Sequence, residues 1–396
     1  MSRILLLSNG HGEDLSGSLL GKYLVEKGDI VEALPFVGDG ENYKKVNIRI
    51  IGKTKQFKTG GIGYNSFKGR MIEIFGGQII YLLKKLYLSY KLRNKYDFYF
   101  VIGDIVPIFF AWFAKKDFFT YLVAYSSHYE GKLKLPWPCK FFLISKHSKK
   151  IYTRDFLTAN DLTKQLKKRV SFLGNPFMDK FSFFEKNSKT IFFNIGLFPG
   201  SRFPEVLDNL QLILEVLETM SNLKYFENIE FQFAMVNIVS TKKIRQILNS
   251  RKWNYVEKMV QNNLLEFKFG FISIIFNWNL FEDILCGSKF VISMAGTATE
   301  QAIGLAKPVI QIEGKGPQFT KTFAEAQRRL LGRYVFCATN YRNKTDQINQ
   351  TINLIIKIIY LIKIDKNFLS SCVDNSNLRI GGSNACIKLV NDIKVS

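Results

Sequence analysis

Arg3-Ile-Leu-Leu-Leu-Ser-Asn-Gly-His-Gly-Glu-Asp14 reads as a short apolar strand, a glycine turn and the start of a helix. Ile4 to Ser8 is the strand, and a helix is expected from about Asp14 to Lys27. The same alternation runs outward along the chain. Strands are expected at Val31–Val37, Phe98–Ile102, Phe119–Ala124, Lys140–Ile144 and Val170–Leu173. In the second half they are expected at Ile191–Leu197, Ile229–Met235, Phe271–Ile275, Phe290–Ser293 and Val309–Ile312, with helices between most of them. Short apolar runs alternating with helical-period segments mark a parallel α/β architecture.

At 396 residues the chain is too long for one ordinary α/β domain. It fits two of about 180–200 residues each. Residues 180–190 are largely polar and carry no clear period, so the boundary falls there. The expected division is 1–180, 190–365 and a helical C-terminal stretch over 366–396. Residues 38–69 are polar and glycine-rich and read as a long surface loop, and Met71–Leu92 reads as a long helix. A loop of that length in a compact domain is usually functional or mobile.

Lys and Arg total 56 against 33 Asp and Glu, for a net charge of +23. Such a field attracts polyanions: nucleic acid, anionic lipid headgroups or phosphorylated substrates. A chain heavy in Lys, Asn, Ile and Phe is also what AT-rich coding produces. No zinc, RNP or KH pattern accompanies the charge, so nucleic acid is not the expected partner. The five cysteines are scattered, which reads as reduced thiols of a cytoplasmic protein. No metal-ligand spacing appears, and no metal or other cofactor is expected. The N-terminal apolar run is too short for a signal peptide. The longest apolar stretch, Ile105–Ala114, contains Pro107 and falls short of the roughly 20 residues a spanning helix needs. The expectation is a soluble or peripheral protein on the cytoplasmic side. Ile79–Leu92, with Lys84, Lys85 and Lys91 among Leu, Ile and Tyr, and Ile105–Ala114, with Phe109, Phe110, Trp112 and Phe113, suit an anionic membrane surface. Both also suit helices packed on a sheet.

Three stretches carry chemistry, each at a strand end. Asn9-Gly-His-Gly-Glu-Asp14 follows the first strand. Gly10 and Gly12 permit a tight turn, while His11, Glu13 and Asp14 supply candidate bases. The plain alternative is a strand-to-helix turn with Asp14 as N-cap. Leu197-Phe-Pro-Gly-Ser-Arg202 opens the second half. Its Gly200-Ser201 pair can present backbone N–H groups, and Arg202 can grip a phosphate. Ser293-Met-Ala-Gly-Thr-Ala-Thr-Glu-Gln301 ends a strand and starts a helix near Thr297. Its backbone donors and positive dipole end suit an anion. Glu300 and Gln301, one turn in, can accept hydrogen bonds from ribose hydroxyls.

These residues resemble those of the glycosyltransferase-B superfamily, and specifically the lipid-A-disaccharide synthase family in its related branch. LFPGSRFPEV (197–206) is similar to that family's LPGSR-x-x-E-V stretch, and AGTATEQAIGLAKP (295–308) to its SGTA…E…AKCP stretch. FVIGD, ending at Asp104, and FLGNPFMD (172–179) resemble its V-G-I-D strand end and the segment before its linker. The resemblance runs from about residue 3 to 335 and is weak between motifs. It implies a GT-B type fold: two Rossmann-like domains facing across a cleft, with the C-terminal helix crossing back to the first. It also implies an inverting transfer from a UDP-sugar, held by the second domain, to a lipid acceptor presented by the first.

By the same resemblance Arg202 contacts the donor diphosphate, Gly296, Thr297 and Ala298 form the phosphate-facing turn, and Asp104 is the general base. Gln301 falls where the family has a ribose-binding Glu, with Glu300 one residue earlier as the substitute. The chain departs from the family at NGHGED and at IVPIFF after Asp104. Both departures belong to the acceptor half, with Asn9, Gly10, Gly12, Glu13 and Asp14, and His11 is the second candidate base. A sugar-nucleotide 2-epimerase of the same fold and a non-catalytic polyanion binder are the competing readings. The sequence leaves acceptor, sugar and oligomeric state open.

Overall fold

The computed structural model describes residues 1–55, 78–123, 125–181, 193–201, 203–256, 264–314, 321–382 and 384–395. The chain divides into two compact units: Met1–Lys180 with Gly381–Ser396, and Phe181–Ile380. Each is an α/β unit built on a parallel-dominated sheet.

In unit 1, strands β1 (Arg3–Ser8), β2 (Ile30–Pro35), β3 (Arg49–Ile50), β4 (Phe98–Gly103), β5 (Phe118–Leu122), β6 (Ser148–Thr153) and β7 (Val170–Ser171) form one sheet. Its order is β3-β2-β1-β4-β5-β6-β7, and every pairing is parallel. Leu6 pairs with Ala33 on one side and with Phe100 on the other. Side chains alternate across the sheet. Leu5, Leu7, Leu34, Tyr99 and Val101 pack on one face, and Ile4, Leu6, Ala33, Phe100 and Ile102 on the other. Helices cover both faces, which is why these strands read as continuous apolar runs.

The helix Ala385–Lys394 belongs to unit 1. Its Cys386, Leu389, Val390 and Ile393 pack with Ile4 and Leu6. Asp179 accepts from the backbone N–H of Ala385 (2.8 Å) and Cys386 (2.7 Å) at the start of that helix. The preceding helix, Lys366–Arg379, stays with unit 2, so the return begins at Gly381 and not at residue 366.

Unit 2 holds β8 (Phe193–Phe198), β9 (Ile229–Met235), β10 (Asn254–Val256), β11 (Leu264–Phe269), β12 (Ile272–Trp278), β13 (Phe290–Ser293), β14 (Val309–Gln311) and β15 (Val335–Cys337). The order is β10-β11-β12-β9-β8-β13-β14-β15. Only the β10–β11 and β11–β12 pairings are antiparallel among the described strands. Phe233 and Phe276 stack at 4.5 Å in the centre of its core.

Two expectations change. Lys140–Ile144 is the end of a helix, Trp137–Ile144, and the strand lies later, at Ser148–Thr153. Pro136 and Pro138 start that helix, where proline's fixed φ and missing N–H do no harm. The 38–69 segment is not all loop: Glu41–Lys45 is helical and Arg49–Ile50 is an edge strand. The helix read from Met71 is described from Gln78 to Lys91. Residues 56–77, including the glycine-rich FKTGGIGYNSFKG, lie outside the described residues. Ile105–Ala114 supplies the helix Ile105–Phe113. No helix among the described residues is long and apolar enough to cross a membrane.

Candidate functional site

In an open α/β sheet, ligands gather at the carboxyl ends of the strands where the strand order reverses. In unit 1 that point lies between β1 and β4, and the predicted loops meet there. Asn9 follows β1, Asp104 follows β4, and Asn9 Nδ2 donates to Asp104 Oδ2 at 2.8 Å. Asn9 is buried, and its Oδ1 has no hydrogen-bond partner among the described residues. Such an acceptor is costly unless a ligand or water donates to it.

Asp104 is the N-cap of the Ile105–Phe113 helix, its Oδ1 accepting from Val106 N at 2.9 Å. Burial raises its pKa above the ordinary carboxylate value, and the donors Val106 and Asn9 oppose the rise. His11 opens the His11–Glu26 helix; its side chain lies outside the described residues. Glu13 and Asp14 stand in the first turn of that helix, where its dipole favours negative charge. The Glu13 side chain runs past the Cα of Gly103 at the end of β4.

Asp14 is not an N-cap. It is 1% exposed and accepts from Ser8 Oγ at 2.6 Å, and Tyr43 Oη donates to Ser8 Oγ at 2.9 Å. Burial is the main cause that pushes its pKa up to about 7; Glu13 adds to the rise, while Ser8 and Lys85 oppose it. Tyr43 sits so close to Gly17 that no side chain fits there. Lys85, from the Gln78–Lys91 helix, is also buried, and its Nζ donates to Pro35 O at 2.9 Å. It is therefore not one of the exposed cations its sequence neighbourhood suggests. Sequence reading missed Ser8, Tyr43 and Lys85, whose contacts span distant parts of the chain.

In unit 2 the reversal lies between β8 and β13. Met294 N donates to Phe198 O at 2.8 Å, which holds the two strand ends side by side. Gly200 has φ +107°, and a Cβ there would lie 3.1 Å from Met294 O, so glycine is required. Asn209 Nδ2 donates to Pro199 O at 2.8 Å from below. Ser201 follows Gly200 and is exposed. Arg202 lies outside the described residues.

The Gly296–Gly304 helix begins beside this turn. Ala295 is its N-cap and offers no side-chain hydrogen bond, so the N–H groups of its first turn have no intrahelical partner. Thr297 is exposed, Gly296 half-buried and Ala298 buried. Behind them Thr299 Oγ1 donates to Ser293 Oγ at 3.0 Å. Glu300 is half-buried, whereas Gln301 is 1% exposed and faces the core. Phe323 and Gln327, on the Lys321–Leu331 helix, approach Gly296: a Cβ there would lie 3.5 Å from the Phe323 ring and 3.9 Å from Gln327 Nε2. Neither was legible as a site residue, because only the fold brings that helix to the turn. No cluster of three metal-ligating side chains occurs among the described residues.

No family model matches the sequence, and no curated protein matches it. Solved structures do resemble the fold. UDP-GlcNAc 2-epimerase from Neisseria meningitidis, bound to UDP-GlcNAc, is 13% identical with a TM-score of 0.57, over 100% of both chains. MurG from Acinetobacter baumannii is 12% identical with a TM-score of 0.58, also over 100% of both. The glycotransferase of kitacinnamycin is 11% identical with a TM-score of 0.59, over 100% of this chain and 98% of its own. At such identities the likeness is one of fold: two Rossmann-like units of the GT-B type.

Proposed function

We propose that this chain is an inverting glycosyltransferase that moves a sugar from a UDP-sugar to a lipid-linked acceptor, in the manner of lipid-A-disaccharide synthase. It would work on the cytoplasmic face of a membrane, without a metal. The observation that carries the lipid part is an apolar hollow of about 480 Å³ in unit 1, lined by Leu82, Leu86, Ile105, Val106, Phe109 and Phe142 among others. Ile105 and Val106 directly follow Asp104, so an apolar chain in the hollow would bring its polar end to the β1–β4 strand ends. A purely soluble sugar nucleotide has no use for such a wall.

In this reading unit 2 holds the donor. The open first turn at Gly296, Thr297 and Ala298, with Gly200, Ser201 and Arg202, would take the diphosphate and stabilise its charge as it leaves. Glu300, the more accessible of the two predicted acceptors, would hold the ribose. In unit 1 the acceptor hydroxyl would attack the anomeric carbon, the bond to the diphosphate oxygen would break, and the hydroxyl proton would pass to Asp104. A carboxylate oxygen has two lone pairs, so Asp104 can accept a further hydrogen bond beside those from Asn9 and Val106. Its raised pKa makes it a better base. His11 is the second candidate for that role. Asn9 Oδ1 would accept from an acceptor hydroxyl.

The test is incubation of the protein with a panel of UDP-sugars and membrane lipids, with mass detection of new glycolipids. A solved 2-epimerase superposes on this fold as well as solved transferases do. The same incubation without lipid, scored for an isomer of UDP-GlcNAc, separates that reading. An isomer in the absence of lipid and no new glycolipid in its presence would overturn the transferase.

A further inference from the structure

On unit 1, a second hollow of about 360 Å³ opens along the Gln78–Lys91 helix, lined by Lys53, Lys55, Lys84 and Lys85 together with Tyr81 and Leu88 among others. Among the described residues no carboxylate lines it. Backbone contacts fix its walls: Tyr81 Oη donates to Lys53 O at 3.3 Å, and Gly38 N donates to Lys55 O at 3.2 Å. Three of the lysines are exposed, and a solvated ammonium at a surface needs no partner. Lys85 differs. It is 3% exposed, and Pro35 O is the one hydrogen-bond acceptor of its Nζ among the described residues. An ammonium carries three donors, so the site leaves a buried cation under-used beside three more positive charges.

We infer that this hollow is a phosphate site and that, on the reading above, it holds a phosphate group of the lipid-linked acceptor. Lysines bind phosphate as point charges, and the positive charge gathered around the hollow favours an anion. Burial lowers the pKa of Lys85 to about 8, opposed by Asp14, so at neutral pH it still carries its charge. The same helix turns Leu82, Leu83 and Leu86 to the apolar hollow. A phosphate-bearing amphiphile can therefore engage one helix on two sides, its charge at the lysines and its chain at the leucines.

The experiment is calorimetry on the full chain with three probes: inorganic phosphate, dihexanoyl phosphatidic acid and dihexanoylglycerol. The expected result is binding of the phosphatidic acid but not of the diacylglycerol, weakened at least tenfold in Lys53→Ala/Lys84→Ala and in Lys85→Met, with UDP affinity unchanged. Inorganic phosphate bound as tightly as the phosphatidic acid, and lost in the same variants, would support the anion site and assign it to free phosphate. Wild-type protein that binds neither phosphate-bearing probe would overturn the site, as would variants that bind like the wild type. If Lys85→Met fails to fold, the surface double variant decides. UDP-sugar turnover is scored separately: its absence alongside intact phosphate binding removes the transferase reading and leaves the phosphate site standing.

Discussion

Asn9 and Asp104, 95 positions apart in the chain, share a 2.8 Å hydrogen bond where β1 and β4 end side by side. Asp104 also caps a helix, so the proposed catalytic role falls on a carboxylate that already has a structural one. Substitution separates them. Asp104→Asn keeps a good capping side chain and removes the proton acceptor, so kcat should fall by about 10²–10⁴ while stability holds. Asp104→Ala should also lose about 0.5–2 kcal/mol of stability. Turnover and thermal midpoints of both variants give the comparison. If Asp104→Asn turns over normally while His11→Ala does not, His11 is the base.

Asp14 should make stability depend on pH. Its pKa rises from the ordinary 3.8 to about 7 in the folded chain, chiefly through burial. Between about pH 4 and pH 7 the unfolded chain has lost this proton and the folded chain retains it, so stability falls as pH rises through that window. The full effect is at most about 4 kcal/mol. Lys85, with a folded pKa of about 8, stays charged across the window. Asp14→Asn removes the titration and can still accept from Ser8. Urea unfolding at pH 5 and pH 8 should show a steeper loss for the wild type than for the variant. Equal slopes would mean that Asp14 is ionised in the folded protein.

The membrane reading rests on side chains that the fold leaves outside. Trp137 is 84% exposed, and Leu83, Tyr87 and Phe141 are each more than half exposed. They come from the Gln78–Lys91 and Trp137–Ile144 helices, which also carry Lys84 and Lys140. Anionic vesicles at low salt should therefore shift tryptophan emission to the blue. Trp137→Ser and Leu83→Ser should each weaken binding by about 1.5–3 kcal/mol if those side chains insert fully. Salt should release the protein where electrostatics dominate. Absence of binding at low salt would leave the +23 charge as a signature of coding alone.

The strand-end loops were legible because their residue types carry the geometry: glycines where the chain turns, small residues where a helix starts. The fold then brought Asn9 to Asp104 and Phe198 to Met294 without help from local pattern. What could not be read depends on distance in sequence. Tyr43 reaches Ser8 across 35 positions and Lys85 reaches Pro35 across 50, and no periodicity encodes either contact. The run Lys140–Ile144 reads as a strand because a short apolar stretch looks alike in a buried strand and a buried helix. The prolines ahead of it were the overlooked signal. Strand β11, Leu264–Phe269, carries Glu266 and Lys268 within an apolar run, so no uninterrupted apolar stretch marks it in the sequence.

Glu300 and Gln301 are adjacent on one helix and differ in burial, and that difference predicts how they divide the work. Gln301 is 1% exposed, so its side chain packs inside unit 2. Gln301→Ala should lower stability by creating a cavity, with little direct effect on nucleotide affinity. Glu300 is half-buried one residue earlier, one turn into the helix that begins at Gly296. A carboxylate that accepts from a ribose hydroxyl there would contribute about 1.5–3 kcal/mol, so Glu300→Ala should weaken UDP binding roughly 10- to 100-fold. Glu300→Gln should recover part of the loss, because an amide oxygen still accepts. Calorimetric titration with UDP, paired with a melting curve for each variant, separates the two residues. Unchanged UDP affinity in Glu300→Ala together with a loss in a well-folded Gln301→Ala would reverse the assignment and place the ribose at Gln301.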